Sequence, residues 1–271
     1  MSEFEFLKYL KSGAVATIVL SNPKKANSIG EKMWFEIGTA FRQISKDADL
    51  KVCIIKSESK HFTSGIDIGF LDSIVSKCQQ KPENERQEFL RTTIIEMQDS
   101  FSEVENCPIP VIAQVHGVCI GAGVDLISAC DLRFSTKSSF FSIMETRLGI
   151  VADMGTLQRL PNTIPEGILK ELTYSSKIFS GRYAEKIGLV NKSFFTKKSL
   201  DSHIRKLADT ICSMPSYAVK GSKLTINYAR ENTVNAGLKQ IAELNSRLLL
   251  SDEALSTFSA VKNQFNKPKG K

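Results

Sequence analysis

Short β-type segments alternate with amphipathic helical patterns over most of this chain, and only helical patterns follow Ser202. Segments rich in β-branched residues and bounded by turn residues predict strands. They are Ala14–Leu20, Val52–Ile55, Pro110–Val115, Leu132–Ser135 and Phe140–Ile143. Strands that alternate with helices are typical of an α/β protein. The sequence therefore predicts an α/β core over residues 1–200 and a helical region over residues 201–271.

Three helices are predicted among these strands. The first begins at a capping box formed by Ser28 and Glu31 and runs to about Ser45. The second spans Glu85–Asn106, and the third spans Val124–Ala129. The apolar face of the first helix is defined by residues spaced three or four apart, which are Met33, Ile37, Phe41 and Ile44.

The composition is that of an ordinary globular protein. Hydrophobic residues make up 42% of the chain and charged residues 24%, which excludes disordered and collagen-like classes. No apolar run approaches the roughly 18 residues that span a bilayer, so no membrane partner is expected. The formal charge of +7 favours polyanions in general. Because the basic residues are spread along the chain, nucleic acid is not the expected partner.

The two ends of the chain and its cysteines indicate the cellular compartment in which the protein works. The segment Met1–Lys11 resembles neither a secretory signal nor a transit peptide, and residues 266–271 match no receptor-read tripeptide. Both observations favour the cytoplasm. The six cysteines form no C-x-x-C pair, so neither a disulfide framework nor a metal site is expected.

Two turns have main-chain N–H groups that are available to a ligand. Ile120–Asp125 is a glycine-containing turn at a helix start, where free N–H groups and the helix dipole favour negative charge. A dinucleotide-binding motif would need glycine at position 126, where Leu126 stands. Phe62–Asp67 is an irregular segment after a short strand. Each turn, taken alone, is also explained as a plain structural turn.

Two carboxylates, Glu145 and Asp153, stand in a stretch that is otherwise largely apolar or glycine. Burial of a carboxylate costs several kcal/mol unless it is compensated, so acids in such a stretch are candidate functional residues. Asp153 also precedes Gly155-Thr156-Leu157 and is a candidate helix N-cap. Each carboxylate, taken singly, is better explained by a structural role.

Together and in this order, these segments resemble the enoyl-CoA hydratase/isomerase (crotonase) superfamily. The similarity runs from Asn22-Pro23-Lys24-Lys25-Ala26-Asn27 through Gly155–Pro161 and into the helical tail. Within the superfamily it is closest to the dienoyl-CoA isomerases, because Asp125 and Asp153 occupy positions that are typically Glu and Gly in hydratases. The resemblance implies a crotonase fold, a spiral of ββα turns followed by helices that build a homotrimer, often paired into a hexamer.

The resemblance also implies the chemistry. The main-chain N–H groups of Ile66 and Ala122 would stabilise a thioester enolate, although glycine is common at position 122. Glu145 and Asp153 would move a proton from C2 to C6 of a 3,5-dienoyl-CoA, giving the 2,4-dienoyl form. Glu145 is expected to serve C2 and Asp153 to serve C6, with the reverse order left open. Asp125 would be a third pocket carboxylate. No metal or separate cofactor is implied, since coenzyme A is part of the substrate.

Contacts with the acyl-CoA are implied at a further set of positions. Lys25 is a candidate partner for the CoA phosphates, but an ordinary solvated lysine explains it equally well. Asp67 is expected to fix its own loop rather than to react. The full set is Lys25, Ala26, Ser64, Gly65, Asp67 and Gly121.

Two kinds of alternative to the dienoyl-CoA isomerase remain open: another enzyme activity and a function without catalysis. One is a 2-enoyl-CoA hydratase or a Δ3,Δ2-enoyl-CoA isomerase in which Asp153 is only a helix cap. A crotonase-fold RNA-binding protein is the alternative from another class. It is motivated by the charge of +7 and predicts strongly salt-dependent nucleic-acid binding. Because family members work in mitochondria and peroxisomes, these compartments are the alternative to the cytoplasm.

Overall fold

A computed structural model describes residues 4–265 of the chain. Residues 1–3 and 266–271, which were part of the compartment prediction, lie outside the described residues. Across the described range, none of the helices has the length and apolar character that crossing a bilayer requires. All six cysteines lie within the described residues, where none of them forms a disulfide, and five are buried.

The strands form two sheets. In chain order they are β1 (Leu7–Ser12), β2 (Val15–Leu20), β3 (Val52–Ser57), β4 (Val111–Val115), β5 (Val118–Ile120), β6 (Leu132–Thr136), β7 (Phe140–Ser142), β8 (Phe179–Ser180) and β9 (Lys192–Phe194). The larger sheet has the order β1-β2-β3-β4-β6-β9. It is parallel except for the β1–β2 pair. The smaller sheet has the order β5-β7-β8, with β5 and β7 parallel.

The helices, in chain order, are α1 (Glu31–Lys46), α2 (Ile68–Gln79), α3 (Glu83–Glu105), α4 (Ala122–Ser128), α5 (Thr156–Arg159), α6 (Glu166–Ser175), α7 (Gly181–Lys186), α8 (Lys197–Ser213), α9 (Ser216–Glu231), α10 (Val234–Leu248) and α11 (Asp252–Phe265). The chain divides into two compact units, one running through Ile211 and one beginning at Cys212. The first contains both sheets, and the second contains α9, α10 and α11. The division predicted at residue 200 stays a prediction.

The core of the first unit fixes α1 and α3 firmly. Every residue of β4 is buried, as expected for a central parallel strand. The indole ring of Trp34 in α1 stacks on Phe101 in α3 with ring centroids 4.7 Å apart. Its Nε1 donates a hydrogen bond to the carbonyl oxygen of Met97 at 2.9 Å. The middle of α3 is therefore held against the core by both packing and a directional bond.

The predicted helices are present with shifted ends, and the predicted capping box is wrong. Helix α1 begins after Gly30, which provides no side-chain cap. The hydroxyl of Ser28 instead donates to Asp67 Oδ2 at 3.0 Å, because a loop distant in sequence competes for it. The predicted apolar face of α1, including Ile37 and Phe41, is buried and confirmed. Helix α2 was not predicted.

Candidate active site

Two loops meet at the carboxyl end of β5. Residues Thr63 and Cys119 form a parallel bridge between them, and the N–H of Thr63 donates to the carbonyl oxygen of Val118 at 3.0 Å. Gly65 has φ +90°, and a Cβ there would lie 2.9 Å from the carbonyl oxygen of Ile120. A side chain at position 65 would therefore push the two loops apart.

The second loop, residues 119–123, also requires glycine. A Cβ at Gly123 would collide with Cγ2 of Thr63. Gly121, which precedes α4, has φ +52°, a conformation that favours glycine. The close approach of Thr63 thus explains Gly123, and the positive φ explains Gly121, so neither glycine requires a dinucleotide.

The N–H groups of Ile66 and Ala122 lie on these two loops. A Cβ at Gly65 would be 3.7 Å from the nitrogen of Ala122, so the two segments are in contact. Ala122 is the first residue of α4, where N–H groups have no partner within the helix. Within residues 4–265, neither N–H donates a hydrogen bond to another group of the protein. Their predicted joint role as donors stays a prediction.

Asp125 lies in the first turn of α4 and is only 1% exposed. Its Oδ1 accepts a hydrogen bond from the N–H of Thr156 at 2.9 Å, so it caps the N-terminus of α5 from another helix. Burial raises the pKa of Asp125 to about 6, although the contacts with Thr156 oppose the rise. A carboxyl group with this pKa is still mostly ionised at neutral pH, but it takes up a proton at a much higher pH than an exposed aspartate does.

Glu145 follows β7, which pairs with β5 in the register Ile120↔Ser142. Because the two strands are parallel, the residues that follow them emerge at one edge of the sheet. Glu145 is 8% exposed, and its Oε1 would be 3.5 Å from a Cβ at Gly121. Its Oε2 is buried without a hydrogen-bond partner in the described part of the chain. Burial first, and then the charge of Asp125, raises the pKa of Glu145 to about 7.

Asp153 lies half-buried in the loop before α5. The suggestion that it caps a helix is wrong, because the N-cap of α5 is Gly155, and it is Asp125 that accepts from Thr156. Burial raises the pKa of Asp153 as well. With no capping role, its carboxyl group needs another explanation.

The three predicted carboxyl groups, Asp125, Glu145 and Asp153, are linked by the electrostatic effect of Asp153 on the other two, and their joint catalytic role stays a prediction. The charge of Asp153 raises the pKa of both Asp125 and Glu145 after the larger effect of burial. Buried carboxyl groups that are also near another negative charge keep their protons at a pH where exposed acids lose them. One site can therefore hold a protonated acid beside an ionised base, as proton transfer requires.

The residues predicted to contact the acyl-CoA lie on two segments joined by hydrogen bonds and an ion pair. One segment contains Lys25 and Ala26, and the other contains Ser64 and Asp67. Lys25 Nζ lies 2.9 Å from Asp67 Oδ2, and Asp67 Oδ1 accepts from the N–H of Phe70 at 3.3 Å to cap α2. The carbonyl oxygen of Ala26 accepts from the N–H of Ser64 at 3.1 Å. Asp67 therefore fixes its own loop, as predicted.

A cavity of about 450 Å³ is lined in part by Lys25 and Asp67. Its lining combines three lysines with apolar side chains and two acids. These residues include Lys24, Lys25, Lys32, Phe6, Phe70 and Asp67.

The sequence analysis assigned no role to Asn27, which organises the loops around the site. Asn27 is fully buried, and its Nδ2 donates to Ser57 Oγ at 2.8 Å and to Phe62 O at 3.1 Å. Its own carbonyl oxygen accepts from Thr63 Oγ1 at 2.6 Å. Its φ is +54°, a conformation that asparagine tolerates better than most residues.

Comparisons with known proteins agree with this architecture. The family model described as Enoyl-CoA hydratase/isomerase matches residues 11–263. The chain is 37% identical over 257 residues to the peroxisomal Delta(3,5)-Delta(2,4)-dienoyl-CoA isomerase of Arabidopsis thaliana, covering 94% of this chain and 92% of the relative. It is 36% identical over 247 residues to the mitochondrial Delta(3,5)-Delta(2,4)-dienoyl-CoA isomerase of Mus musculus, covering 91% and 76%.

The solved structures show the same fold. The enoyl-CoA hydratase of Bacillus anthracis superposes with a TM-score of 0.85 at 25% sequence identity, covering 96% of this chain and 97% of that one. The crotonase fold expected from the sequence is thereby confirmed. Sequence, fold and family model agree that this chain belongs to the enoyl-CoA hydratase/isomerase family.

Proposed function

We propose that this protein isomerises 3,5-dienoyl-CoA thioesters to 2,4-dienoyl-CoA thioesters, a reaction of fatty-acid β-oxidation. The observation that carries the proposal is the third carboxyl group, Asp153, beside Asp125 and Glu145. The relatives named as dienoyl-CoA isomerases support the same reaction. A shift of two conjugated double bonds needs proton exchange at two carbons that are four bonds apart, and therefore more than one fixed acid–base group.

The first step forms a stabilised thioester enolate that is conjugated with both double bonds of the acyl chain. Ionised Glu145 removes a proton from C2, and the negative charge moves onto the thioester oxygen. The N–H groups of Ile66 and Ala122 donate to that oxygen. Preorganised donors of this kind are typically worth about 10²–10³ in rate each. Their lack of partners within the described residues is what leaves them available.

The second step completes the isomerisation. Protonated Asp153 donates its proton to C6, so that one C–H bond breaks at C2 and one forms at C6. The double bonds move from positions 3 and 5 to positions 2 and 4. Glu145 is then protonated and Asp153 ionised, and exchange within the carboxyl cluster or with water restores the starting state. The overall reaction is redox-neutral, and coenzyme A takes part only as a portion of the substrate.

Hydration of a 2-enoyl-CoA is the second candidate. Asp125 and Glu145 alone resemble the pair that would activate water in a hydratase, and solved relatives are named enoyl-CoA hydratases. In a hydratase, however, Asp153 would have no role in the chemistry. Its half-buried position, without a capping function, favours isomerisation.

Substrate binding and assembly follow the same proposal. In this proposal Lys25 and the lysine-lined cavity beside Asp67 bind the phosphates of CoA. Apolar side chains on the C-terminal helices are exposed, including Leu238 at 63% and Phe258 at 57%. Such residues suit a homotrimer or hexamer, in which they would be covered. The names of the relatives favour a peroxisome or mitochondrion over the cytoplasm.

An optical assay tests the function. Purified protein supplied with a 3,5-dienoyl-CoA is expected to generate the conjugated 2,4-dienoyl chromophore. The change Asp153→Asn keeps the shape of the side chain but removes its exchangeable proton. It is expected to lower kcat by about 10²-fold or more. The matched control is Asp72→Asn on the exposed side of α2, which should leave the rate unchanged.

Fast hydration of a 2-enoyl-CoA together with an unchanged isomerisation rate in Asp153→Asn would contradict the proposal and favour a hydratase.

A further inference from the structure

The loop that carries Asp153 is held at two consecutive carbonyl groups. The side-chain amide of Gln98 in α3 donates from Nε2 to the carbonyl oxygen of Asp153 at 2.6 Å. The guanidinium of Arg159 donates from Nη1 to the carbonyl oxygen of Met154 at 3.0 Å. A loop without regular structure is thereby given a fixed position next to α3.

Arg159, which donates to Met154, is itself held by an ion pair with Glu105 in α3. Arg159 Nε lies 2.7 Å from Glu105 Oε2, and the two side chains are only 13% and 25% exposed. Gly155 has φ +113°, and a Cβ there would collide with the guanidinium. The guanidinium therefore lies directly against the loop, with its geometry set by a charge-assisted bond to α3.

The hydrogen bond from Gln98 to Asp153 begins at a well-anchored part of α3. Gln98 follows Met97, whose side chain is buried and whose carbonyl oxygen accepts from Trp34 Nε1. The amide of Gln98 thus projects from the best-anchored part of α3. A carbonyl oxygen can only accept a hydrogen bond, so the donor of Gln98 is specifically required.

We propose that Gln98 is a positioning residue that sets the location of the Asp153 carboxyl group. The proposal rests on the proposed function, because it assigns Gln98 a role through the acid that serves C6. Gln98 contacts the main chain of Asp153, so this hydrogen bond does not use the carboxyl group. Proton transfer is sensitive to displacements of about 1 Å, which can cost about 10²-fold in rate. A loop held by one hydrogen bond fewer loses that accuracy.

The change Gln98→Met tests the proposal, because methionine has a similar length and no hydrogen-bond donor. We expect kcat for the 3,5-dienoyl-CoA to fall about 10- to 100-fold with KM little changed. Exchange of the C2 proton with deuterated water, which Glu145 performs, is expected to stay at the wild-type rate. The matched control is Gln87→Met, which makes the same replacement at an exposed position of α3.

A second measurement separates positioning from general stability. In the Asp153→Asn background, Gln98→Met is expected to cause no further loss, because residues that act as a unit are not additive. A full additional loss, an equal fall in C2 exchange, or a wild-type rate in Gln98→Met would each overturn the proposal. If Gln98→Met does not fold, Gln98→Glu, which keeps the shape and replaces the donor by an acceptor, is measured in the same way.

The wild-type protein distinguishes the two proposals. A wild-type enzyme that produces no 2,4-dienoyl chromophore contradicts the proposed function, and the role of Gln98 falls with it. A wild-type enzyme that is active while Gln98→Met behaves like Gln87→Met contradicts the role of Gln98 alone.

Discussion

Burial of Asp125, Glu145 and Asp153 determines the proton chemistry of the site. An exposed glutamate is fully ionised at neutral pH, but burial and the neighbouring charge raise the pKa of Glu145 to about 7. Asp125, with a pKa of about 6, remains largely ionised there and is held by the N–H of Thr156. Glu145, the group proposed to face C2, therefore titrates near neutral pH and is available there as an ionised base, while burial raises the pKa of Asp153, the group proposed to face C6.

The change Asp125→Asn tests this coupling. Removing a negative charge near Glu145 should lower the pKa of Glu145, because a charge that raises this pKa is lost. The base is then ionised at lower pH, so the acidic limb of the pH profile of kcat/KM for dienoyl isomerisation should shift to lower pH. The asparagine oxygen can still accept from Thr156. A limb that stays in place or moves to higher pH contradicts the coupling, and Asp72→Asn is the control.

The sequence predicted the acids of this site but not the residue that arranges its loops. Glu145 and Asp153 stood out because charged side chains are unusual among apolar neighbours. Asn27 did not, because a polar residue in a turn is ordinary and its partners, such as Phe62 and Thr63, are more than 30 residues away in sequence. Contacts of that kind are decided by the tertiary fold.

Helices and strands were predictable where one face of the element is buried. The periodicity of α1 gave its buried face, but its start was wrong because Ser28 bonds to Asp67 instead of the helix. Helix α2 was missed, although Asp67 accepts from the N–H of Phe70 as an N-cap should. Gly69 in its first turn weakens the helical signal. Local signals thus fail where a distant side chain competes for a cap.

The change Gly65→Ala tests the contact between the two loops. A Cβ at position 65 would be 2.9 Å from the carbonyl oxygen of Ile120 on a backbone with φ +90°. We expect the N–H groups of Ile66 and Ala122 to separate, with a loss of about 10²-fold or more in kcat for isomerisation. The strained backbone is expected to cost about 1–3 kcal/mol of unfolding free energy.

The matched control is Gly167→Ala in α6, where an added Cβ meets no atom within 4 Å. This variant should keep full activity. Wild-type activity in Gly65→Ala would show that the two N–H groups do not act on one oxygen.

Over the whole molecule, the order of the elements was predictable from the sequence, whereas the exact boundary between core and helical region has no local signal. Alternation of strands and helices gave the α/β class, and the family model confirms the crotonase architecture. Residue 200 and the division after Ile211 both fall within α8, which runs without interruption from Lys197 to Ser213. A continuous helix has no local signal that could mark a boundary.

The stability of the whole chain should depend on pH through Glu145. Its pKa is about 7 in the folded protein and 4.5 ordinarily, so the folded state binds a proton that the unfolded chain releases between these values. The free energy of unfolding should therefore fall as the pH rises from about 4.5 to about 7. Glu145→Gln removes this dependence and should be more stable than wild type at pH 8, by on the order of 1–3 kcal/mol.

Urea denaturation at pH 5 and pH 8 measures the difference, which should shrink at the lower pH. Glu96→Gln on the exposed face of α3 is the control and should behave as the wild type. An unchanged pH dependence in Glu145→Gln would show that its carboxyl group is not the source.

Gly65 and Gly123 restrict how the molecule can be altered. Each is required by an atom of the opposite loop, the carbonyl oxygen of Ile120 in one case and the methyl group of Thr63 in the other. Replacing only one loop with its counterpart from a relative would combine surfaces that were never fitted to each other. Chimeric enzymes should therefore inherit residues 62–67 and 119–123 from the same parent, and a designer who wishes to vary either must vary both.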